Sequence, residues 1–360
     1  MQCKVTMQYK ERNNLLLANF VDCLRRWITD GTSQGSNGAF HAWYDARKGE
    51  LAYEYPEITG YALTYLSNYS EGTAAGRRAA DWLVNRIALN NLTAREKDNI
   101  AVYNFDLAMI ATGLMSFGQA IHDDRYSAVG LHLVDFIREQ ILAGGHLLPL
   151  NPAYPASPRK STWSTDGSAH LLKVVQCLLI AQELGAAGMQ EAITCLVRSA
   201  SELQTSSGRF ITHPTDIETF LHPHLYAAEG LWMWGMAQGN CDALEQARRA
   251  VTWAWSHQLD TGGFPNKVNN VHGYISDVEQ SDVTAQAVRL ALLLSMSFEG
   301  LDRAIERLLQ VSHGDESRKA LLYQPTTANL HENTWATLFG AQALEVALVG
   351  RQALSWRLFV

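Results

Sequence analysis

Apolar residues recur at helical spacing along almost the whole chain, in two kinds of segment that alternate. Six segments are amphipathic, with charges along one face: NNLLLANFVDCLRRWIT, GRRAADWLVNRIAL, AVGLHLVDFIREQIL, MQEAITCLVRSASEL, ALEQARRAVTWAWSHQL and LDRAIERLLQVS. Six others are apolar nearly all round and rich in small residues: EITGYALTYLSNY, FDLAMIATGLMSFGQAI, DGSAHLLKVVQCLLIAQEL, HLYAAEGLWMWGMAQ, SDVTAQAVRLALLLSMSF and ENTWATLFGAQALEVALV. A helix that is apolar on every side has to be buried, whereas a one-faced helix lies at a surface. The alternation predicts an inner ring of six helices wrapped by an outer ring of six. That is an all-α (α/α)6 toroid, formed as one domain over residues 1–360.

The inner segments open on polar residues: Glu57, Asp106, Asp166, His222, Asp282 and Glu332, at intervals of 49, 60, 56, 60 and 50 residues. Each interval holds one helix pair with its loops. In YEYPEITGY (53–61) the proline suits a helix's first turn, where its missing N–H lacks a partner anyway, and Glu57 follows just inside. A carboxylate at that place is favoured by the helix dipole and caps free N–H groups. Six inner tips in one ring also converge on a common bowl. Carboxylates and imidazoles crowded there shift one another's pKa values, the arrangement that acid–base chemistry uses.

The motifs YPEITGY, VYNFDLAMIATGL, STDGSAHLLKVV, THPTDIETFLHPHLYAAEGL, SDVTAQAVRLALLL and HENTWATLFGAQALE, spanning roughly residues 50 to 345, resemble the inner-helix motifs of a bacterial family. Its members are (α/α)-toroid proteins associated with polysaccharide or glycoconjugate biosynthesis. Six-hairpin glycosidases, unsaturated glucuronyl hydrolases, N-acylglucosamine 2-epimerases and glucuronyl C5-epimerases share that fold. The resemblance implies a carbohydrate-active enzyme with a small glycan or uronic-acid-containing substrate. One scaffold hosts many chemistries, so the reaction has to be argued from residues.

Asp106 and Asp166 are the first candidates for an acid–base pair, because they open consecutive repeats and belong on neighbouring inner helices. The resemblance implies the same placement, since two aspartates on successive inner helices act in the unsaturated glucuronyl hydrolases. Asp166 is expected to donate a proton while Asp106 activates water. His170 and Lys173 follow Asp166 at four and seven residues, along one helical stripe. A lysine in so apolar a helix needs a carboxylate partner inside the ring, and Asp166 is a candidate for it. The stretch THPTDIETFLHPHLY is the densest polar run, with His213, Asp216, Glu218, His222 and His224. Its histidines suit proton transfer near neutral pH better than metal binding, because Pro223 between His222 and His224 opposes a preformed chelate. His331, beside Glu332, lies at the corresponding tip two repeats later. A histidine on each side of a sugar would serve the alternative chemistry, epimerisation or lyase cleavage by His222 or His224 with His331.

Aromatic faces stack on the apolar faces of sugar rings. Trp163 and Trp335, nearest the tips, are therefore candidate platforms, while Trp232 and Trp234 lie deeper and read as core. Tyr55, Tyr61 and Tyr103 are expected along the bowl near Glu57 and Asp106. The polar loop 260–280 is long enough to form a lid, and its Gly-Gly-Phe marks a turn from an outer to an inner helix.

Composition excludes other classes. A net charge of -7 without a basic run argues against nucleic acid, and no apolar stretch approaches membrane-spanning length. The N-terminal segment lacks a signal-peptide plan, and five scattered cysteines suit reduced thiols, so a cytoplasmic location is expected. No phosphate-binding loop, dinucleotide fingerprint or nucleophile elbow is present, and neither a cofactor nor a metal is expected. A cyclase-like tailoring enzyme and a non-catalytic glycan binder complete the alternatives.

Overall fold

A computed structural model describes residues 2–88, 101–152, 161–325 and 328–360. In chain order the first helices are α1 (Gln2–Thr29), α2 (Pro56–Leu66), α3 (Thr73–Ala88), α4 (Asn104–Ile121), α5 (Asp124–Gly144) and a single turn, α6 (Trp163–Asp166). Then come α7 (Val175–Glu183), α8 (Met189–Ser201), α9 (Leu221–Gln238), α10 (Cys241–Trp255), α11 (Ser281–Leu293), α12 (Leu301–Gln310) and α13 (Thr334–Val349). A 3₁₀ segment, Ala169–Val174, leads into α7 and continues its inner position.

Among the described residues the helices form two rings. Inner helices touch in the cycle α2–α4–α7–α9–α11–α13 and back to α2, while α1, α3, α5, α8, α10 and α12 pack outside them. The apolar-all-round segments are the inner ring. Every residue of α2 is buried, whereas α12 buries only Ala304 and Leu308. Small residues let the inner helices approach closely: a Cβ on Gly113 would lie 2.2 Å from the Gly60 carbonyl oxygen of α2. Among the described residues no helix is long and apolar enough to cross a membrane.

One turn recurs where an outer helix hands over to an inner one. Its sequence is Gln-x3-Gly-x-Phe, at 34–40, 204–210 and 258–264. The Gln side chain donates to the carbonyl of its own glycine and to a carbonyl at the next outer helix: Gln34 to Gly38 and Ala75, Gln204 to Gly208 and Gln246, Gln258 to Gly262 and Gly300. The Phe amide then donates to the fourth residue of the inner helix that follows. Phe40 meets Thr59 Oγ1 at 3.0 Å, Phe210 meets His224 Nδ1 at 3.1 Å and Phe264 meets Thr284 Oγ1 at 3.1 Å. Leu321 makes the same bond to Thr337 Oγ1 at 3.0 Å before α13. These bonds set four inner helices in one register, reading PEITGY, LHPHLY, SDVTAQ and TWATLF.

Short strands rim one end of the toroid. β1 (Trp43–Asp45) pairs antiparallel with β2 (Glu50–Leu51) and with β7 (His331–Asn333). β3 (Glu218–Phe220) pairs with β4 (Lys267–Asn269), and β5 (Ser312–Gly314) with β6 (Lys319–Leu321). The loop 260–280, expected as a lid, is instead a wall. It is bridged at Pro265–Glu279 and Val268–Ile275, paired to β3, and tied by Arg307 to Glu279.

Gly208 sits at φ +91°, and a Cβ there would meet the Arg249 backbone oxygen at 2.5 Å. Gly208→Ala is expected to lower stability by about 1–3 kcal/mol through strain and backbone overlap. Urea unfolding followed by circular dichroism measures it, and an unchanged midpoint contradicts the account.

Candidate active site

The register of the four inner helices explains how the toroid axis is filled. Residues at positions 2, 6 and 9 of each helix are spaced i, i+4, i+7 and so form one stripe facing the axis. Position 2 supplies Glu57, His222, Asp282 and Trp335, all of which line a cavity of about 520 Å³. Position 6 supplies Tyr61, Tyr226, Gln286 and Phe339, a layer beneath it. The Tyr61 and Tyr226 hydroxyls lie 3.2 Å apart, and both rings pack edge-on against Phe339. Position 9 supplies Glu229, Arg289 and Gln342, linked by hydrogen bonds Arg289–Glu229 (2.6 Å) and Arg289–Gln342 (3.0 Å). Below them the C-terminal segment closes the axis. Gln176 donates to the Phe359 carbonyl, Gln342 to that of Leu358, and the Phe359 ring lies 4.0 Å from the Arg289 guanidinium.

The buried layer is ionic. Glu229 is fully buried and accepts from Lys173 Nζ (2.7 Å), Arg289 Nη2 (2.6 Å) and Gln286 Nε2 (3.0 Å). Burial alone would raise the Glu229 carboxyl, but Arg289 and Lys173 outweigh it and hold it ionised below the usual range. Burial also lowers the Lys173 ammonium, against the pull of Glu229. Lys173 thus pairs with Glu229, not with Asp166. It sits among the rings of Tyr61, Tyr226, Phe339 and Phe359, out of a ligand's reach.

The bowl above is aromatic and amide-rich. Trp43, Tyr53, Tyr55, Phe105, Trp163, Phe220, Tyr226, Tyr323 and Trp335 line it, with Asn266, Gln280, Gln324, Asn329 and Asn333. His331 completes the wall, stacked on Trp43 at 5.0 Å, with its Nε2 3.7 Å from Asp45 Oδ2 on the paired strand. Asp45 is itself held by the Arg47 and Lys48 amides. Asp282 is buried, and burial raises its carboxyl to about 7, although its own and the Val283 backbone N–H oppose the shift. Its Oδ2 lies 3.3 Å from His222 Nδ1. Burial lowers His222 to about 3, so this imidazole is neutral at physiological pH.

Seven expected site residues therefore share the bowl: Glu57, His222, Asp282, His331, Tyr55, Trp163 and Trp335. Eight do not line it. Asp106 lies on α4, buried, while its neighbour Phe105 faces the cavity. Asp166 ends α6 instead of opening the inner helix, because Gly167 leaves the helix with extended backbone. It is bonded to Ser161, lies 3.9 Å from His213, and its side chain is 43% exposed. Glu332 lies on β7, whose side chains alternate. His331 and Asn333 face the bowl, while Glu332 points behind it to Trp27 Nε1 (2.9 Å) and His313 Nδ1 (2.6 Å). His224 occupies the turn-locking position held elsewhere by threonine. Its Nδ1 accepts from Phe210, its Nε2–H donates to the Ala250 carbonyl, and burial lowers it to about 4. Tyr61 and Lys173 belong to the lower layers. His170 backs Trp163 and Phe105. Tyr103 caps α4 and packs with Ala101 against Leu150.

Sequence reasoning overlooked Trp43, Tyr53, Phe105, Phe220, Tyr226 and Tyr323 in the wall, and Gln286 and Glu229 beneath it. Aligning PEITGY, LHPHLY, SDVTAQ and TWATLF would have exposed the position-2 set and replaced Glu332 by Trp335. Alternation in WYD and HEN carried the rest of the signal.

No protein-family model matches the sequence, and no curated protein does either. Solved structures do match, at the level of fold. An unsaturated glucuronyl hydrolase from a Bacillus species superposes with a TM-score of 0.68 at 14% identity, over 92% of this chain and 96% of that one. Cellobiose 2-epimerase from Bacillus thermoamylovorans gives 0.65 at 12%, over 91% and 99%. An α-1,6-mannanase of a Salegentibacter species, in complex with α-1,6-mannotriose, gives 0.62 at 12%, over 93% and 99%. These structures share with this chain the fold of two concentric rings of helices.

Burial of Asp282 links stability to pH. An unfolded aspartate titrates near 3.9, but the folded carboxyl titrates at about 7, so the folded chain binds this proton more tightly. Its contribution to stability is therefore lost as pH rises from about 4 to about 7, and the loss is complete above that. Asp282→Asn removes the penalty. Relative to the parent protein it is expected to gain at least about 1 kcal/mol at pH 8 and little at pH 4. Denaturant unfolding at the two pH values checks this, and an equal effect at both refutes the assignment.

Proposed function

We infer that the protein is a carbohydrate-active enzyme that hydrolyses a glycosidic bond of a small glycan in the bowl. One observation carries this reading: a buried Asp282, its carboxyl raised to about 7, in the same aromatic-lined cavity as a second acid, Glu57. A carboxyl that holds its proton up to about pH 7 is suited to donate it to the glycosidic oxygen as the bond to the anomeric carbon breaks. The second carboxylate, Glu57, activates water or stabilises the developing positive charge. These two replace Asp166 and Asp106 in the roles expected from spacing. Trp335, Tyr55 and Trp43 offer faces for the apolar side of a sugar ring, and Asn266, Gln280 and Asn333 offer amides to its hydroxyls. The hydrolase and mannanase folds named above support the reading, and the mannanase holds an oligosaccharide.

Epimerisation is the second reading, favoured by His222 and His331 lining one cavity and by the epimerase fold. The low basicity of His222 weighs against it, since an imidazole lowered to about 3 is a poor base for carbon-bound protons.

Asp282→Asn and Glu57→Gln are each expected to lower kcat for glycoside hydrolysis by roughly 10²–10⁴-fold while circular dichroism stays unchanged. The parent rate should fall as pH rises through about 7, as Asp282 loses its proton. A panel of neutral and uronic-acid disaccharides, followed by reducing-end release, measures both. Full turnover by Asp282→Asn removes the acid assignment. Solvent deuterium appearing at a sugar carbon, with no bond cleaved, replaces hydrolysis by epimerisation.

A further inference from the structure

We propose that Gln286 is a positioning residue that relays the buried charge of Glu229 to His222, fixing the imidazole as the Nδ1–H tautomer and leaving Nε2 as an obligatory acceptor for a ligand hydroxyl. This rests on the reading of the bowl as a sugar site, and it adds a rule for what the ligand must present there.

The argument is one of donors and acceptors. Glu229, ionised between Lys173 and Arg289, only accepts. Gln286 lies 3.0 Å from Glu229 Oε1 on one side and 2.8 Å from His222 Nδ1 on the other. Its amide must therefore turn the NH₂ group to Glu229 and the carbonyl oxygen to the imidazole. A carbonyl oxygen cannot donate, so Nδ1 has to carry the proton. A neutral ring then holds its lone pair on Nε2, which projects away from Gln286. Asp282 Oδ2, 3.3 Å from Nδ1, does not decide the matter: as a carboxyl it donates to a bare nitrogen, and as a carboxylate it accepts from a protonated one. Glu229 decides it, through the amide.

The surroundings keep the arrangement rigid. His222 packs edge-on to Tyr226 at 4.2 Å and to Trp163 at 5.8 Å, and it lies over Phe339 at 6.3 Å. Gln286 is fully buried. Turning the amide over would place its NH₂ against the imidazole and its oxygen against Glu229, leaving two buried acceptors facing each other. That costs far more than an ordinary hydrogen bond contributes. A ligand hydroxyl then fits Nε2 as a donor, while an ether or carbonyl oxygen at the same place faces lone pair to lone pair.

The test reads the tautomer directly and needs no substrate, so it stands apart from whether hydrolysis is the reaction. The full chain is labelled with ¹⁵N-histidine, and long-range ¹H–¹⁵N spectra are recorded at pH 7, with His222 assigned by loss of its signals in His222→Asn. The parent protein is expected to show His222 as Nδ1–H with an unprotonated Nε2. Gln286→Met keeps the Lys173–Glu229–Arg289 cluster but breaks the relay, and it should move His222 to the Nε2–H form or to a mixture. Glu229→Gln should also release the preference, because a neutral amide no longer dictates which way Gln286 faces. A parent His222 found as Nε2–H, or a tautomer unchanged in Gln286→Met, overturns the proposal. A change in Gln286→Met with none in a folded Glu229→Gln overturns the part assigned to Glu229. If Glu229→Gln does not fold, Gln286→Met alone decides the role of Gln286.

Discussion

A single carboxylate at the centre of the toroid organises much of what surrounds it. Glu229 is fully buried, and an unpaired charge there would be prohibitive. Lys173 from the third inner element and Arg289 from the fifth inner helix converge on it, and Gln286 supplies a further donor. The attraction among these groups offsets their desolvation only while the geometry is held, so the cluster ties three sectors of the ring to one point. The cations are shielded in turn by the rings of Tyr61, Tyr226, Phe339 and Phe359. The axis is therefore packed rather than open, and the cavity above it has a floor.

That floor sets the electrostatics of the bowl. Residues one helical turn above the aromatic layer have no space to recede into, and Glu57, His222, Asp282 and Trp335 face the cavity. Burial against this packed base drives Asp282 up to about 7 and His222 down to about 3, so between those values two groups 3.3 Å apart are both largely neutral. A buried carboxyl raised to about 7 weakens the fold at high pH, where it must ionise without compensation. The strands complete the enclosure. β7 brings His331 and Asn333 to the wall because its partner β1 holds it in register, and Glu332 anchors the back of that strand through Trp27 and His313.

Much of the architecture is legible in the chain. Segments such as FDLAMIATGLMSFGQAI have no polar face and can only be buried, and their alternation with one-faced segments predicts two concentric rings. The site is legible in part. Glu57, His222 and Asp282, which line the cavity, stand out in the sequence because a polar residue opening an apolar helix is conspicuous. Asp166 misled because Gly167 breaks the helix that spacing alone would have begun there. Glu332 misled because β7 ends before α13 begins, and a strand sends adjacent residues to opposite faces. His224 looked chemical beside His222, yet it serves as the acceptor for Phe210 that threonine provides in three other repeats.

By itself, then, the sequence determined which helices are inside and which outside, because hydrophobic periodicity is a property of each segment alone. It also determined that polar groups crowd the inner tips. Only the tertiary structure decided which of those groups meet. The partner of Lys173 lies 56 residues away, that of His331 lies on a strand at the other end of the chain, and the carboxyl of Asp282 titrates high only because of what buries it. Pairing and desolvation depend on distances across the ring, which no local pattern in the chain encodes.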